Sequence, residues 1–395
     1  MLDISAAALH SGHGRAHRVL GGATVVILFL TISAGSAGRA STAATPLVQV
    51  TPTELRLSQP LAALAAEGGR AAFAFCNQLL GVWRPGATGI TRLGPLAQWT
   101  CPPPRGLERT YSLAFAGDRV AWSAEAGGNS VTNLLFLVVL GQPHMMTIAA
   151  DISYCCRSFD PDRERMGDVY GDAGFIAFSS RVKCGDQGAP GCPTSTRTLI
   201  SQTVWRLRRA PFQAQCVTKP GPCVQLATLN DVLEPLSVDS GRVAVRRANG
   251  ALEIRKPNGA LVRQFPGLAG LTRGAELMGG RLVVLVPGQL REYKLATGAL
   301  LRTRPLPNVS SGGVCGMPPC PTVTLQMVDA ARGLVAYTLS GKLHLRRLRD
   351  GRDRVVATAT DARFGDTGLF YAFTNPAPWV SRIRFVRWAA LPVRP

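Results

Sequence analysis

Lysine is nearly missing from this chain. Only five of its 44 basic residues are Lys, and the other 39 are Arg. Charged residues of all kinds make up 17% against a hydrophobic share of 46%, which excludes a disordered chain. Histidine is scarce too, at five, and no H-E-x-x-H, C-x-x-C or G-x-S-x-G spacing occurs. Those absences remove the zinc hydrolases, the zinc ribbons and the nucleophile-elbow hydrolases. Beyond the N-terminal region no apolar run approaches the ~20 residues of a spanning helix; Leu134–Leu140 is far too short. A sustained helical period is also lacking, and Ala62–Ala66 is the best short helical candidate.

What is present begins with an export signal. Arg15, His17 and Arg18 form a basic start, Val19–Ser33 is apolar, and small residues follow with cleavage points after Ala37, Ala40 or Ala43. Residues 1–43 are expected to be a signal peptide, the rival being an uncleaved anchor, and residues 46–395 the folded body. The formal charge is +20. One reading is attraction to anionic envelope polymers or headgroups. The other is codon composition, because the Arg residues are spread along the chain. Export argues against nucleic acid as a partner, and contact with a membrane is expected only through the N-terminal segment if it is retained.

Ten cysteines form an even set, as expected of a disulfide-bonded exported protein. Cys76 and Cys101 lie within one repeat unit. Cys184 with Cys192, Cys216 with Cys223, and Cys315 with Cys320 lie close together in apparent loops. Cys155 and Cys156 are adjacent, and either close on each other or pair with Cys184 and Cys192.

A strand-turn phrase recurs about seven times. Its openings are Gly68-Gly69-Arg70-Ala71, Gly117-Asp118-Arg119-Val120, Asp172-Ala173-Gly174-Phe175 and Ser240-Gly241-Arg242-Val243. Gly279-Gly280-Arg281-Leu282, Ala331-Arg332-Gly333-Leu334 and Gly365-Asp366-Thr367-Gly368 complete the set. Spacings of about 35 to 67 residues bracket the ~40–50 of a four-stranded blade. The expected fold is all-β, a single seven-bladed β-propeller, with six or eight blades as the neighbouring counts. The small-residue opening strand is assigned to the crowded axis. Leu47–Val50 is expected to pair with the last unit and latch the ring. Insertions at Lys183–Thr196, Gln213–Cys223 and Ser310–Pro321 account for the irregular spacing.

The stretch Leu290-Arg291-Glu292-Tyr293-Lys294-Leu295-Ala296-Thr297-Gly298-Ala299-Leu300-Leu301 resembles the blade phrase of bacterial quinoprotein-like propellers, with WD40-like and TolB-like propellers as further relatives in kind. Lys256-Pro257-Asn258-Gly259 and Arg347-Leu348-Arg349-Asp350-Gly351 are looser copies. The resemblance implies an architecture, and such folds host many functions. In similar dehydrogenases adjacent cysteines, here Cys155-Cys156, cover a quinone cofactor. The missing Trp after Ala296-Thr297-Gly298 and the missing calcium ligands argue against one, so no cofactor is expected.

Other motifs are weak. Asp160-Pro161-Asp162-Arg163-Glu164, with Asp168 and Asp172, has alternating oxygens but lacks the turn Gly and final Glu of a calcium loop. No metal site is expected. His144 and His344 read as surface or turn residues. Asp118, Asp172 and Asp366 recur at the start of the opening strand, where one reading has them face the channel mouth and the other makes them turn formers. Asn308-Val309-Ser310 reads as an ordinary turn. Arg206, Arg208 and Arg209, with Arg346, Arg347 and Arg349, are the densest basic clusters and the candidate anion-binding face. The expected function is non-catalytic binding of a ligand or protein partner at the cell envelope by a secreted monomer, with no catalytic residue singled out. The alternative is a propeller enzyme, either a quinoprotein-like dehydrogenase or a lyase or hydrolase. Acidic or histidine residues converging at a channel mouth would favour the enzyme; an apolar or Arg-lined mouth would favour binding.

Overall fold

The computed structural model describes residues 47–76, 79–93, 101, 107–126, 131–141, 145–153, 168–183, 199–207, 223–225, 233–247, 249–307, 325–374 and 380–395. Residues 45–395 form one compact unit. Residues 1–46, which include the segment expected to be a signal peptide, the glycosylation-like triplet and most of the loop insertions lie outside the described residues. So do Cys155, Cys156, Cys184, Cys192, Cys216, Cys315, Cys320, His144, Arg208 and Arg209.

Among the described residues six sheets are four-stranded and are built from consecutive antiparallel strands. Their inner strands are Leu61–Glu67, Leu107–Ala116, Tyr170–Asp172, Leu233–Asp239, Gly274–Met278 and Leu325–Ala331, in sheets one to six. A further, closing sheet has five strands drawn from both ends of the chain. Its inner strand is Asp361–Gly365, and each inner strand touches the next until Asp361–Gly365 meets Leu61–Glu67. Where seven like units were expected, six are regular and the closing one is composite.

The recurring openings are the second strands, not the inner ones. Arg70–Phe75, Arg119–Ala126, Phe175–Lys183, Arg242–Arg247, Arg281–Val286, Leu334–Leu339 and Gly368–Thr374 all hydrogen-bond on both edges. Neighbouring sheets cover both of their faces as well. A strand buried on both faces reads as a continuous apolar run without alternation. Ala71 to Phe75 and Leu282 to Val286 are such runs, each residue at most 2% exposed. Crowding between sheets, and not at the axis, therefore accounts for the small residues. The turn before each second strand is set locally. Ser240 and Gly241 have φ of 50° and 71°, and Arg332 and Gly333 have 51° and 79°. Two successive positive φ values make the tight hairpin turn whose twist matches its strands.

Two expectations change in detail. Ala62–Ala66 is strand, part of Leu61–Glu67, because pairing with Arg70–Phe75 overrides a weak helical preference. The latch is formed by Glu54–Leu57, which pairs with Ser381–Arg387 in the register Glu54 to Arg384 and Leu57 to Ser381. Val48–Val50 adds only an edge beyond it. Leu55 and Leu57 are fully buried in the core shared with sheet one, so the hydrophobic term favours this strand over its neighbour.

Cys76 and Cys101 form a disulfide with Cα atoms 6.0 Å apart, tying the second strand of sheet one to the connection leading into sheet two. The bond spans a sequence separation of 25. In the chain-entropy account a loop of this size is worth about 3.5 kcal/mol. Replacing both cysteines by Ala is expected to lower the unfolding free energy by about that amount. Urea titration of the double variant checks it.

Candidate functional site: the axial channel

An inner strand has a sheet partner on one edge only, so the N–H groups of its free edge need acceptors from elsewhere. Side chains from the preceding sheet supply acceptors to some of these groups and to the hairpin turns that follow the inner strands. The Glu67 carboxylate accepts from Gly117 N at 3.1 Å, Asp172 from Gly241 N at 2.8 Å, and Asp239 from Gly279 N at 2.8 Å. These three acids occupy the last position of their inner strands. One layer deeper, Ser237 Oγ accepts from Leu277 N at 3.0 Å and Asp329 Oδ2 from Phe364 N at 2.6 Å. The carboxylates that line the axis thus begin as staples between sheets.

The deeper layer is defined by register. Ala65, Ala114, Tyr170, Ser237, Glu276, Asp329 and Arg363 pair with equivalent second-strand residues in the seven sheets. At this level sheets one and two are methyl-sized, Tyr170 and Ser237 follow, and Glu276, Asp329 and Arg363 come in succession before the ring returns to Ala65. The axial space has a volume of about 730 Å³, and all seven inner strands line it. Asp361 lies beside this layer and takes Arg363 Nη1 at 2.7 Å, while the same nitrogen donates to Ala362 O and Val328 O.

Electrostatics follow from the enclosure. Burial pushes the Glu276 carboxyl well above the usual carboxylate range, and the nearby Asp329 charge adds to it against the Ser237 hydrogen bond and Arg363. Burial also raises Asp329 and Asp361, with Arg363 opposing in both cases. Burial raises Glu67 despite the Gly117 N–H. Asp329 uses Oδ1 on Ala330 N and Oδ2 on Phe364 N. Among the described contacts Glu276 has no such backbone duty, and its hydrogen-bond partner is the Ser237 side chain.

The sign of the pH effect is set by these shifts. An acid raised in the folded state costs stability above its ordinary pKa, and that cost is recovered as pH falls through the folded value. Glu276→Gln is therefore expected to match the wild type near pH 4.5 and to exceed it at pH 8, by a margin that grows with pH. Thermal melting across that range reads the crossover.

Among the described residues seven acids line the channel: Glu67, Asp168, Asp172, Asp239, Glu276, Asp329 and Asp361. Three described bases do, namely Arg246, Arg273 and Arg363, in a chain with 44 basic and 24 acidic residues. Acidic residues thus converge, while Arg246 and Arg273 sit toward the ends where the inner strands begin. None of Glu67, Glu276, Asp329, Asp361 and Arg363 stood out in the sequence. Each lies at or before the hairpin turn, and assigning the axis to the strand after the turn hid them.

Asp172 ends an inner strand, whereas Asp118 and Asp366 lie in the turns. Asp172 is therefore a staple, while Asp118 is exposed beside Arg119 at 3.9 Å. His344 is not a turn residue. It lies in Lys342–Arg347, stacks on Tyr337 with centroids 4.9 Å apart, and bonds Asp353 through Nδ1 at 3.1 Å. The Tyr337 hydroxyl donates to the same carboxylate, and burial followed by that bond pushes its pKa far up. Arg346 also meets Asp353, at 3.4 Å, and Arg347 pairs with Asp350 and donates to Arg394 O. These two candidate anion binders thus have internal partners, while Arg349 is exposed. Arg206 and Cys223 lie on the third and outer strands of sheet three.

The closed ring of antiparallel sheets about a channel defines a β-propeller. No protein-family description and no curated protein sequence matches the chain. Among solved structures it is similar to YCF48 bound to D1 peptide, at 12% identity and TM-score 0.47, over 86% of this chain and 99% of that one. It is also similar to the computationally designed Ika8 protein, at 11% and 0.43, over 84% and 98%. Saccharomyces cerevisiae Sqt1 matches at 12% and 0.43, over 84% and 96%.

Proposed function

We propose that this is an exported propeller of seven blades, the closing sheet counting as the seventh, that binds at the cell envelope a ligand presenting a cationic group to the axial channel. The observation that carries the reading is the inversion of charge: among the described residues, a strongly basic chain keeps seven acids and three bases around one axial space. Low-dielectric walls strengthen the attraction of such a lining for a cation. The apolar leader and the Cys76–Cys101 disulfide support an extracytoplasmic location. The test is a thermal-shift panel of diamines, guanidinium compounds, neutral sugars and dicarboxylates. Amines or guanidinium compounds should raise the melting temperature, and Asp361→Asn should weaken the effect. A panel in which only anions act, or none does, sinks the reading.

A second reading is a carboxylate-dependent hydrolase or lyase. Its support is Glu276, whose carboxyl burial pushes well above the usual carboxylate range beside Asp329, a pair of acids of the kind that acid–base chemistry on glycosides uses. Against it, both Asp329 oxygens serve backbone N–H groups. Turnover of chromogenic glycosides that Glu276→Gln abolishes would favour this reading over binding alone.

A further inference from the structure

The exposed large hydrophobic side chains among the described residues are Leu261, Leu271, Leu300, Leu301 and Val355. Four of them lie on the outer strands of three consecutive sheets, Leu261–Phe265, Leu300–Pro305 and Asp353–Thr358. Leu261 and Leu300 directly follow the turn that joins the third and outer strands. Antiparallel alternation places those turns on one face of the disc, at its periphery.

The three edges are joined physically. Arg263 donates to Leu295 O and Ala296 O in the next sheet's turn, at 2.7 and 2.8 Å. Arg304 repeats this with Leu348 O and Arg349 O, at 2.9 and 2.7 Å. Charge on the described part of this periphery is predominantly positive. Lys256, Lys294, Arg349, Arg352 and Arg354 are exposed, and no carboxylate pairs with them among the described contacts. The one exposed acid there, Asp350, is held by Arg347.

We propose that this periphery, formed by the outer strands and turns of sheets four to six, docks on an anionic lipid bilayer surface. The cations meet the headgroups, and the leucines enter the interface between them. Leucine decides between the two anionic surfaces at hand. A hydrated anionic polymer satisfies the cations but provides nowhere for Leu261, Leu300 and Leu301 to leave water, whereas a bilayer does both. The site is separate from the channel, so the proposal stands or falls independently of the ligand reading.

The test uses residues 45–395, the compact unit whose ring closes on itself, so that the apolar leader plays no part. Co-sedimentation with vesicles of phosphatidylcholine containing a third phosphatidylglycerol is expected, and none with phosphatidylcholine alone. Lys256→Glu with Lys294→Glu should lower the partition coefficient at least about twentyfold, since each cation near such a surface counts for about fivefold. Leu261→Ser with Leu300→Ser should lower it about tenfold, reflecting lost apolar burial. Both variants sit on exposed positions and should keep the wild-type melting temperature. Failure to bind the anionic vesicles, or binding that the leucine variant leaves unchanged, overturns the proposal. Equal affinity of wild type and leucine variant for polyphosphate, without vesicle binding, would assign the surface to a polymer instead.

Discussion

Gly171→Ala is expected to cost about 4 kcal/mol or more, among the largest effects a single methyl group can have. A Cβ at Gly171 would stand 1.7 Å from the Phe115 carbonyl oxygen and 2.7 Å from its carbon. These are backbone atoms of the neighbouring inner strand, so no rotamer change relieves the overlap. Phe115 is itself pinned, buried in the core between sheets one and two with the Arg70 guanidinium 5.0 Å from its ring. Separating the two strands would open a ring in which every inner strand already touches two others. Gly174→Ala is the control, because its Cβ would meet nothing within 4 Å; it should stay within about 0.5 kcal/mol of the wild type. Urea denaturation of both variants gives the comparison, and equal midpoints would refute close packing at Gly171.

Glu54→Ala is expected to cost about 3 kcal/mol and to act on ring closure. Glu54 is nearly buried and holds three guanidinium groups: Arg56 at 2.6 Å, Arg384 at 2.6 Å and Arg382 at 3.3 Å. Two of these belong to the C-terminal strand and one to the N-terminal strand, so the carboxylate fastens the ends of the chain to each other. Without it three cations crowd one another with no counterion, the costly way to break an ion-pair network. Burial alone would raise the Glu54 pKa, but the Arg384 and Arg56 hydrogen bonds and the Arg384 and Arg382 charges outweigh it and lower it. The stability it contributes is present above the ordinary glutamate value and is lost as pH falls through the lowered one. The gap between wild type and Glu54→Ala should therefore be full at pH 7 and close in strong acid. A gap independent of pH would show that packing, and not the charge, holds the latch.

The two sets of shifts pull in opposite directions. Acidification relieves the channel, where Glu276, Asp329 and Asp361 are raised. It weakens the latch, where Glu54 is lowered. Mild acid is therefore expected to favour the ring, and strong acid to open it at the closing sheet first.

Several features were legible from residue order because they are local. The Ser240-Gly241 and Gly279-Gly280 turns announce themselves, since a positive φ is easy only for a few residue types. The run from Leu282 to Val286 declares a strand covered on both faces. The Cys76–Cys101 pair was also readable, because both cysteines fall within one unit. Arg abundance was not, because its use is tertiary. Arg263 and Arg304 cap turns of the following sheet, and Arg281 and Arg302 grip the buried Glu292.

Residue order by itself therefore determined a series of short strands, their turns and the repeat that makes a propeller. Tertiary structure alone decided which strand of each unit faces the axis, since burial on both faces and exposure to a channel differ only through the neighbouring sheets. It also decided which acids meet. Glu67, Glu276 and Asp361 are separated by up to 294 positions along the chain, and no local spacing encodes their convergence. Ring closure brings them together, and the lowered dielectric of the enclosed channel gives them their chemistry.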